Sequence, residues 1–189
     1  TTSEKTDLVS WWNLDSVIPD TTTFVYDNHH GGGDTLGSEL VTNGDFSDGT
    51  TGWTVGLAAD ITIAINGSNQ LVITDTTPLV SGKYLGAFTP INLIEGNSYI
   101  MKIDFIASDV PGQIRVGTSS SIDQYSHHDI LQASATPITL GVTTTILFFA
   151  TGTQEDNSYL YIGGRDDVDE LTVDNISIKQ VNGNTGTLS

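Results

Sequence analysis

Several tyrosines, an arginine and a glutamine have the side chains and the spacing that sugar binding requires. In residues 158–163, the apolar residues Leu160 and Ile162 alternate with Tyr159 and Tyr161, which places both tyrosines on the outward face of a strand. Flat aromatic faces stack on the C–H bonds of sugar rings, and polar side chains reach the hydroxyls. For any single tyrosine, ordinary cover of a sheet surface is the open alternative. The pattern predicts a carbohydrate-binding platform built from Tyr84, Gln113, Arg115, Tyr125, Tyr159 and Tyr161.

Catalytic chemistry has little support in the sequence. A glycosidase needs two opposed carboxylates across a cleft, whereas Asp166, Asp167, Asp169 and Glu170 crowd into one loop, as in a solvated acidic turn. No serine stands in a G-x-S-x-G nucleophile elbow. The sequence therefore predicts a protein that is not an enzyme.

Two pairs of adjacent histidines, His29-His30 and His127-His128, raise the question of zinc. Neighbouring residues on a strand point to opposite faces, so one such pair seldom supplies two ligands. Plain loop histidines are the favoured interpretation.

The charge of the chain is strongly one-sided: 23 acidic residues face 6 basic ones, and the formal net charge is −17. Such a surface repels phosphate backbones and anionic lipids, so we expect neither a nucleic acid nor a membrane as partner. It suits calcium, whose preferred ligands are carboxylate and carbonyl oxygens. The 189 residues include no cysteine, which excludes disulfides and zinc–thiolate sites.

Short apolar clusters bounded by Gly, Asn, Asp, Ser or Pro recur along the chain, and no segment keeps a helical period over about ten residues. In residues 98–106, Tyr99, Met101, Ile103 and Phe105 share one face, and Lys102 shares the other with Asp104. The alternation predicts an all-β fold, an antiparallel β-sandwich of about ten strands.

The last predicted strand changes phase. Leu171 and Val173 are apolar at odd positions, whereas Ile176 and Ile178 are apolar at even ones. One extra residue in a β-bulge re-aims its neighbours in this way, so we predict a bulge at Asp174–Asn175. Asp174 is then either a ligand or a solvated residue at a sheet rim.

Composition divides the chain into three parts. Residues 1–38 contain an acidic, Thr-rich stretch and a run of three glycines, and we interpret them as an N-terminal extension or linker. Residues 39–182 form the predicted sandwich, and 183–189 form a C-terminal tail. The polar opening of the chain suggests an internal part of a longer protein.

Both ends of the predicted sandwich resemble one family. Residues 39–47 (ELVTNGDFS), followed by Gly52-Trp53, resemble the opening of family 4/9/22-type carbohydrate-binding modules, and residues 172–178 (TVDNISI) resemble their end. The resemblance implies a β-jelly roll of the galactose-binding type, with Trp53 packed in the core.

The resemblance also implies a structural calcium ion that links the first and last strands. Carried over by position, its ligands are the carbonyl of Asp45, the side chain of Ser47 and the carboxylate of Asp174. Ser47 stands where the family usually has Glu, and Asn175 where it usually has a second Asp. Fewer charged ligands predict a weaker site, or one completed by water; a module without metal, with Asp174 as a turn cap, is the alternative.

The N-terminal segment resembles a different group of proteins. Residues 8–15 (LVSWWNLD) and 25–28 (VYDN) are similar to part of the laminin-G/concanavalin-like modules of phage structural proteins. Adjacent strand residues face opposite ways, so we expect one of the rings of Trp11 and Trp12 to meet the sandwich and the other to contact another virion subunit or a copy of this chain.

Together, these features predict a non-catalytic module that binds a polysaccharide or cell-surface glycan. We expect this module to be extracellular or exposed on a virion surface and to take part in adhesion. The alternative is a purely structural virion protein, a decoration or fibre component that uses the sandwich for assembly without binding sugar.

Overall fold

The described part of the chain is built almost entirely of β-strands. The structure, a computed structural model, describes residues 35–56, 60–76, 84–122, 128–151, 157–165 and 168–182. The chain divides into two units, Thr1–Gly33 and Asp34–Ser189, and the described residues belong to the second. The strands are β1 Thr35–Glu39, β2 Thr54–Val55, β3 Ile61–Ile65, β4 Leu71–Asp75, β5 Tyr84–Pro90, β6 Ser98–Ser108, β7 Ile114–Ser119, β8 His128–Gln132, β9 Thr143–Phe149, β10 Tyr159–Arg165 and β11 Glu170–Asn182.

The strands form two antiparallel sheets. The six-stranded sheet has the order β3-β4-β11-β6-β9, with β1 also paired to β11, and the five-stranded sheet has the order β2-β5-β10-β7-β8. Among the described residues, the one helical element is a 3-10 turn at Pro111–Gln113, and no helix there has the length and apolarity that a membrane crossing needs. The predicted jelly-roll β-sandwich is confirmed.

The core lies between the two sheets, and the alternation of apolar residues fills it. Tyr99 is 1% exposed, and Met101, Ile103 and Phe105 are fully buried on the inner face of β6. Their partners across the core include Ile114, Val116, Leu160 and Ile162 of the five-stranded sheet, all fully buried. A single hydrophobic core thus joins the sheets, as the period-two pattern predicts.

The loop after β1 is anchored by aromatic packing. The rings of Phe46 and Trp53 lie 5.4 Å apart at 52°, and both side chains are buried. The indole N–H of Trp53 donates to the carbonyl of Asn43 at 3.2 Å. Trp53 therefore occupies the core position that the sequence predicts.

The sandwich includes residues that the sequence assigns to the N-terminal extension. Strand β1 begins at Thr35, and Thr35 pairs with Asn182 at the far end of β11. The other predicted bounds, and the predicted role of Trp11 and Trp12, lie outside the described residues.

Candidate functional site

The outer face of the five-stranded sheet is where strand alternation places most of the predicted sugar-binding residues. Leu160 and Ile162 belong to the core, so the odd-numbered residues of β10 point away from it. Across β5, β10 and β7, the register forms three rows on this outer face. The rows are Pro90–Tyr159–Ser119, Phe88–Tyr161–Gly117 and Gly86–Gly163–Arg115.

Tyr161 points outward but is not open to solvent. Its side chain is 1% exposed, and its ring packs 5.2 Å from that of Phe88 at 50°. The ring lies over Gly86, because a Cβ built there would fall 2.1 Å from the Cε2 atom of Tyr161. The expectation that Tyr161 offers an aromatic face to a ligand is therefore wrong: the space above Gly86 admits the ring and buries it.

The polar part of this face lies on β7 and β8. The guanidinium of Arg115 donates to Asp129 Oδ2 at 3.1 Å, and the two side chains are 16% and 25% exposed. Gln132, which pairs with Arg115 in the strand register, also donates its amide to Asp129 Oδ2. Asp129 and Gln132 were not predicted from the sequence, because only the pairing of β7 with β8 brings them beside Arg115.

The remaining predicted sugar-binding residues are less closely grouped. Tyr159 is half-buried on the same outer face, next to Ser119. Gln113 is half-buried and ends the 3-10 turn, where its N–H donates to the carbonyl of Val110. The structure describes the backbone of Tyr84 in β5, whereas its side chain, and the whole of Tyr125, lie outside the described part.

The acidic loop before β11 is described only in part. Asp166 and Asp167 lie outside the described residues. The carboxylate of Asp109 accepts hydrogen bonds from the N–H groups of Asp169 and Glu170, at 2.9 and 3.3 Å. This part of the loop is thus fixed to the end of β6 through its backbone.

The two histidine pairs fall largely outside the described part of the chain. His29, His30 and His127 are not described, and only the backbone of His128 is, at the start of β8.

The first and last parts of the sandwich meet at a bulge in β11. Pairing between β11 and β6 shifts register between Asp174 and Ser177, and Asn175 has a φ of 50°. At the bulge, the N–H of Ile176 donates to the carbonyl of Gly44 at 2.9 Å. The predicted bulge and the predicted adjacency of the two ends are both confirmed.

Three carboxylates surround this junction: Asp45, Asp104 and Asp174. Asp174 pairs with Asp104 across β11 and β6. Burial raises the pKa of Asp174, a hydrogen bond from the Asn175 N–H partly offsets this, and the charges of Asp104 and Asp45 raise it further. Asp104 has no counterpart among the sequence-predicted ligands. The junction therefore concentrates negative charge in a partly desolvated place.

Asp45 and Ser47 hold each other in a turn. The N–H and the hydroxyl of Ser47 donate to Asp45 Oδ1, at 3.2 and 2.9 Å. These two hydrogen bonds lower the pKa of Asp45. Both residues are exposed, and their carboxylate and hydroxyl oxygens lie at the surface of the junction.

The oxygen atoms at the junction suit calcium in kind. Asp104 Oδ2 accepts from the Asn175 amide at 2.8 Å, whereas Oδ1 is buried and, among the described residues, has no hydrogen-bond partner. No group of three or more His, Cys, Asp or Glu residues in the described ranges is arranged to hold a metal ion. A calcium ion here would therefore also need carbonyl and water oxygens, which it accepts readily.

Comparison with known proteins finds similarity in fold but not in sequence. No protein-family model and no curated protein sequence matches the chain. The sandwich is similar in fold to carbohydrate-binding modules. A family 4 module is 12% identical, the match covering 74% of this chain and 99% of the module, with a TM-score of 0.48. A mutant family 29 module is 12% identical over 78% of this chain and 92% of its own, with a TM-score of 0.47.

A similar sandwich also occurs in a phage protein. The enzymatically active domain of tailspike protein 4 from bacteriophage CBA120 is 12% identical over 76% of this chain and 21% of its own, with a TM-score of 0.47. At such identities, each of these likenesses concerns the fold alone.

Proposed function

We propose that this chain is a non-catalytic β-sandwich module that binds glycans through the polar part of the outer face of its five-stranded sheet. The observation that carries the proposal is the hydrogen-bonded group of Arg115, Asp129 and Gln132, with Tyr159 on the same face. Planar side chains that combine donors and acceptors match the paired hydroxyls of a sugar ring.

The arrangement of this group favours binding at low entropic cost. Asp129 accepts hydrogen bonds from both Arg115 and Gln132, which holds all three side chains in one orientation before a ligand arrives. Ordering long side chains costs about 0.5–1.5 kcal/mol each on binding, and a preorganised group avoids much of it. The non-catalytic part of the proposal rests on the sequence, in which Asp166, Asp167, Asp169 and Glu170 lie in one loop and not on opposite sides of a cleft.

Replacing Arg115 tests the proposal. In affinity electrophoresis against a panel of soluble polysaccharides, Arg115→Ala should be retained less than the unmodified protein. We expect its affinity to be roughly tenfold lower, because hydrogen bonds from a charged donor contribute about 1.5–3 kcal/mol each. Lys102→Ala is the matched control: it removes the same charge from an exposed position on the other sheet. Equal retention of both variants, or no retention of the unmodified protein by any polysaccharide, would contradict the proposal.

We also propose that calcium binds where the two ends of the sandwich meet, held by the Asp174 and Asp104 carboxylates together with oxygens of the Asp45–Ser47 turn. The support is the buried Oδ1 of Asp104, which has no hydrogen-bond partner among the described residues, and the crowding of carboxylates around Asp174. A cation there would offset their repulsion and stabilise only the folded state.

If calcium binds there, the order in which the unmodified protein and Asp174→Asn melt should reverse when calcium replaces the chelator. With chelator at neutral pH, the variant should melt higher, since the raised pKa of Asp174 means that its ionised form destabilises the folded state. That advantage should vanish in acid, where Asp174 becomes protonated. At a calcium concentration ~100 times the dissociation constant, the free energy of unfolding of the unmodified protein should rise by about 2.7 kcal/mol, and that of the variant should change little.

The control for this reversal is Asp48→Asn, which removes one charge from an exposed position directly after the Asp45–Ser47 turn. It should melt as the unmodified protein does in both conditions. Identical melting of the unmodified protein with chelator and with calcium would show that no calcium binds there.

The extracellular or virion location and the partners of the N-terminal segment remain predictions, and the virion part rests on residues 8–15 and 25–28, which lie outside the described part of the chain. The structural virion role is favoured if no polysaccharide retains the protein and the protein forms defined oligomers that are lost when residues 1–34 are removed. Sedimentation of both forms distinguishes the two roles.

A further inference from the structure

One edge of the six-stranded sheet has none of the features that usually keep an edge strand from pairing with another chain. In the described part of the chain, β9 is the last strand of that sheet and pairs only with β6. Edge strands are usually very short, or they carry charged side chains, prolines or bulges. The seven residues of β9 (TTTILFF) include no charge, proline or glycine, and their pairing with β6 has no register shift. Strand β9 is therefore an edge that can accept another strand.

The backbone of β9 alternates between the side that pairs with β6 and the open side. The N–H of Ala150, directly after β9, donates to the carbonyl of Asn97 at 3.0 Å. In an antiparallel ladder every second residue bonds to the same neighbour, so the even-numbered residues of β9 bond to β6. The N–H and carbonyl groups of Thr145 and Leu147 then point away from β6, where no described strand pairs with them. These groups form the row of donors and acceptors that a further strand needs.

The side chains along β9 suit pairing on both faces of the sheet. On the inner face, Ile146 and Phe148 are half-buried and pack against the core. On the outer face, Thr145 is exposed and Leu147 is half-buried. Pairs of β-branched, aliphatic and aromatic side chains across neighbouring strands stabilise a sheet by about 0.2–1 kcal/mol each. A strand of the same composition placed beside β9 would form such pairs.

The strands at the other ends of the two sheets are shorter or lie beside a carboxylate. Strand β8 contains Asp129, the five-residue strand β3 begins directly after Asp60, and β2 has two residues. By contrast, the sequence has no charged residue between Asp129 and Glu155, a segment that includes all of β9. Like charges placed opposite one another destabilise a strand pair, and the net charge of the chain is −17. Strand β9 is thus the edge along which two copies of this acidic chain can pair with the least repulsion.

We infer that two copies of this chain pair through β9, antiparallel and related by a two-fold axis at Ile146, so that one sheet runs through both copies. In this register the open N–H and carbonyl groups of Thr145 bond to those of Leu147 in the second copy. The two-fold axis repeats the same contact in the other direction. A second copy is the occupant because the uncharged edge is complementary to itself: threonine lies opposite leucine, and Ile146 lies opposite its own counterpart. The inference does not depend on glycan binding.

Sedimentation equilibrium of the full chain, from micromolar to millimolar concentrations, measures the pairing. The salt concentration should be physiological, because repulsion between exposed charges more than about 8 Å apart is then largely screened. The unmodified protein should form dimers. Thr145→Glu should raise the dissociation constant of the dimer by at least about tenfold, since each copy brings a new charge into the shared sheet. Its circular dichroism should still show a folded sandwich.

The control is Thr62→Glu, which adds the same charge at an exposed threonine of β3, at the opposite end of the same sheet. This variant should form dimers as the unmodified protein does. An unmodified protein that stays monomeric at every concentration overturns the inference. Dimers of equal affinity in Thr145→Glu and Thr62→Glu also overturn it, because another part of the chain, such as the N-terminal segment, then holds the copies together.

Disulfide cross-linking tests the register without adding a charge. The chain has no cysteine, so a cross-link must come from the introduced residue. Two opposed residues that do not exchange hydrogen bonds have Cα atoms about 4.5 Å apart, within the ~4.4–6.8 Å that a disulfide spans. Ile146→Cys should therefore form a covalent dimer under mild oxidation, and Thr62→Cys should not. Failure of Ile146→Cys to cross-link, or equal cross-linking of both variants, contradicts the inference.

Discussion

Gly44→Ala is expected to destabilise the sandwich by at least about 3 kcal/mol, at the upper end of what overpacking costs. A Cβ at Gly44 would lie 1.9 Å from the carbonyl oxygen of Ile176 and 3.0 Å from its carbonyl carbon. Backbone atoms cannot rotate away as a flexible side chain can. The same two residues also exchange a hydrogen bond, from the Ile176 N–H to the Gly44 carbonyl. The added methyl group must therefore push the loop away from the bulge of β11.

Urea unfolding of matched glycine variants measures this effect. Gly67→Ala and Gly112→Ala are the controls, because no described atom lies within 4 Å of a Cβ added at either position. Both should stay within about 0.5 kcal/mol of the unmodified protein, as ordinary surface substitutions do. Similar unfolding midpoints for all three variants would show that the junction does not pack as closely as described.

Glu39→Ala is expected to cost about 3 kcal/mol or more through lost hydrogen bonds. Glu39 Oε1 accepts from the N–H groups of Leu40, Val41 and Ile178 at 3.1, 3.0 and 2.8 Å. Its Oε2 accepts from the hydroxyl of Ser177 at 2.6 Å. Hydrogen bonds to charged groups contribute about 1.5–3 kcal/mol each. The half-buried N–H groups of Val41 and Ile178 would be left without this acceptor, whereas the Leu40 N–H would keep the Ile178 carbonyl at 3.0 Å.

The control for Glu39 is Glu170→Ala, which removes the same charge from an exposed position in β11. It should change stability by less than about 0.5 kcal/mol. Ser177→Ala removes only the bond to Oε2 and should fall between the two. If Glu39→Ala and Glu170→Ala unfold at the same urea concentration, the carboxylate does not join β1 to β11.

The strands of the sandwich could be predicted because the alternation that identifies each strand lies within a few consecutive residues. The alternation from Tyr99 to Phe105 identifies the buried face of β6 without knowledge of its neighbours. The phase change at Asp174 likewise follows from one strand alone. The adjacency of the two ends required the family resemblance, since residues far apart in the chain carry no local signal of contact.

The candidate sites were harder to predict because they depend on pairing between strands. The burial of Tyr161 follows from the glycine at position 86, which only the register of β5 and β10 places beside it. Asp129 joins Arg115 through the pairing of β7 and β8. Asp104 meets Asp174 in the same way, across β6 and β11. The alternation of apolar residues shows on which face of the sheet a residue lies, but it does not show which residue lies beside it on the next strand.

The pairing of β1 with β11 has a mechanical consequence. Thr35 and Asn182, where the chain enters and leaves the sandwich, are partners in one antiparallel ladder. Tension applied through the flanking residues would load the end pair first and peel the two strands apart one hydrogen bond at a time. Strands pulled lengthwise resist with all their bonds together, whereas strands that are peeled open yield at low force. Under tension applied at its two ends, this module would therefore begin to open at the β1–β11 pair and at low force.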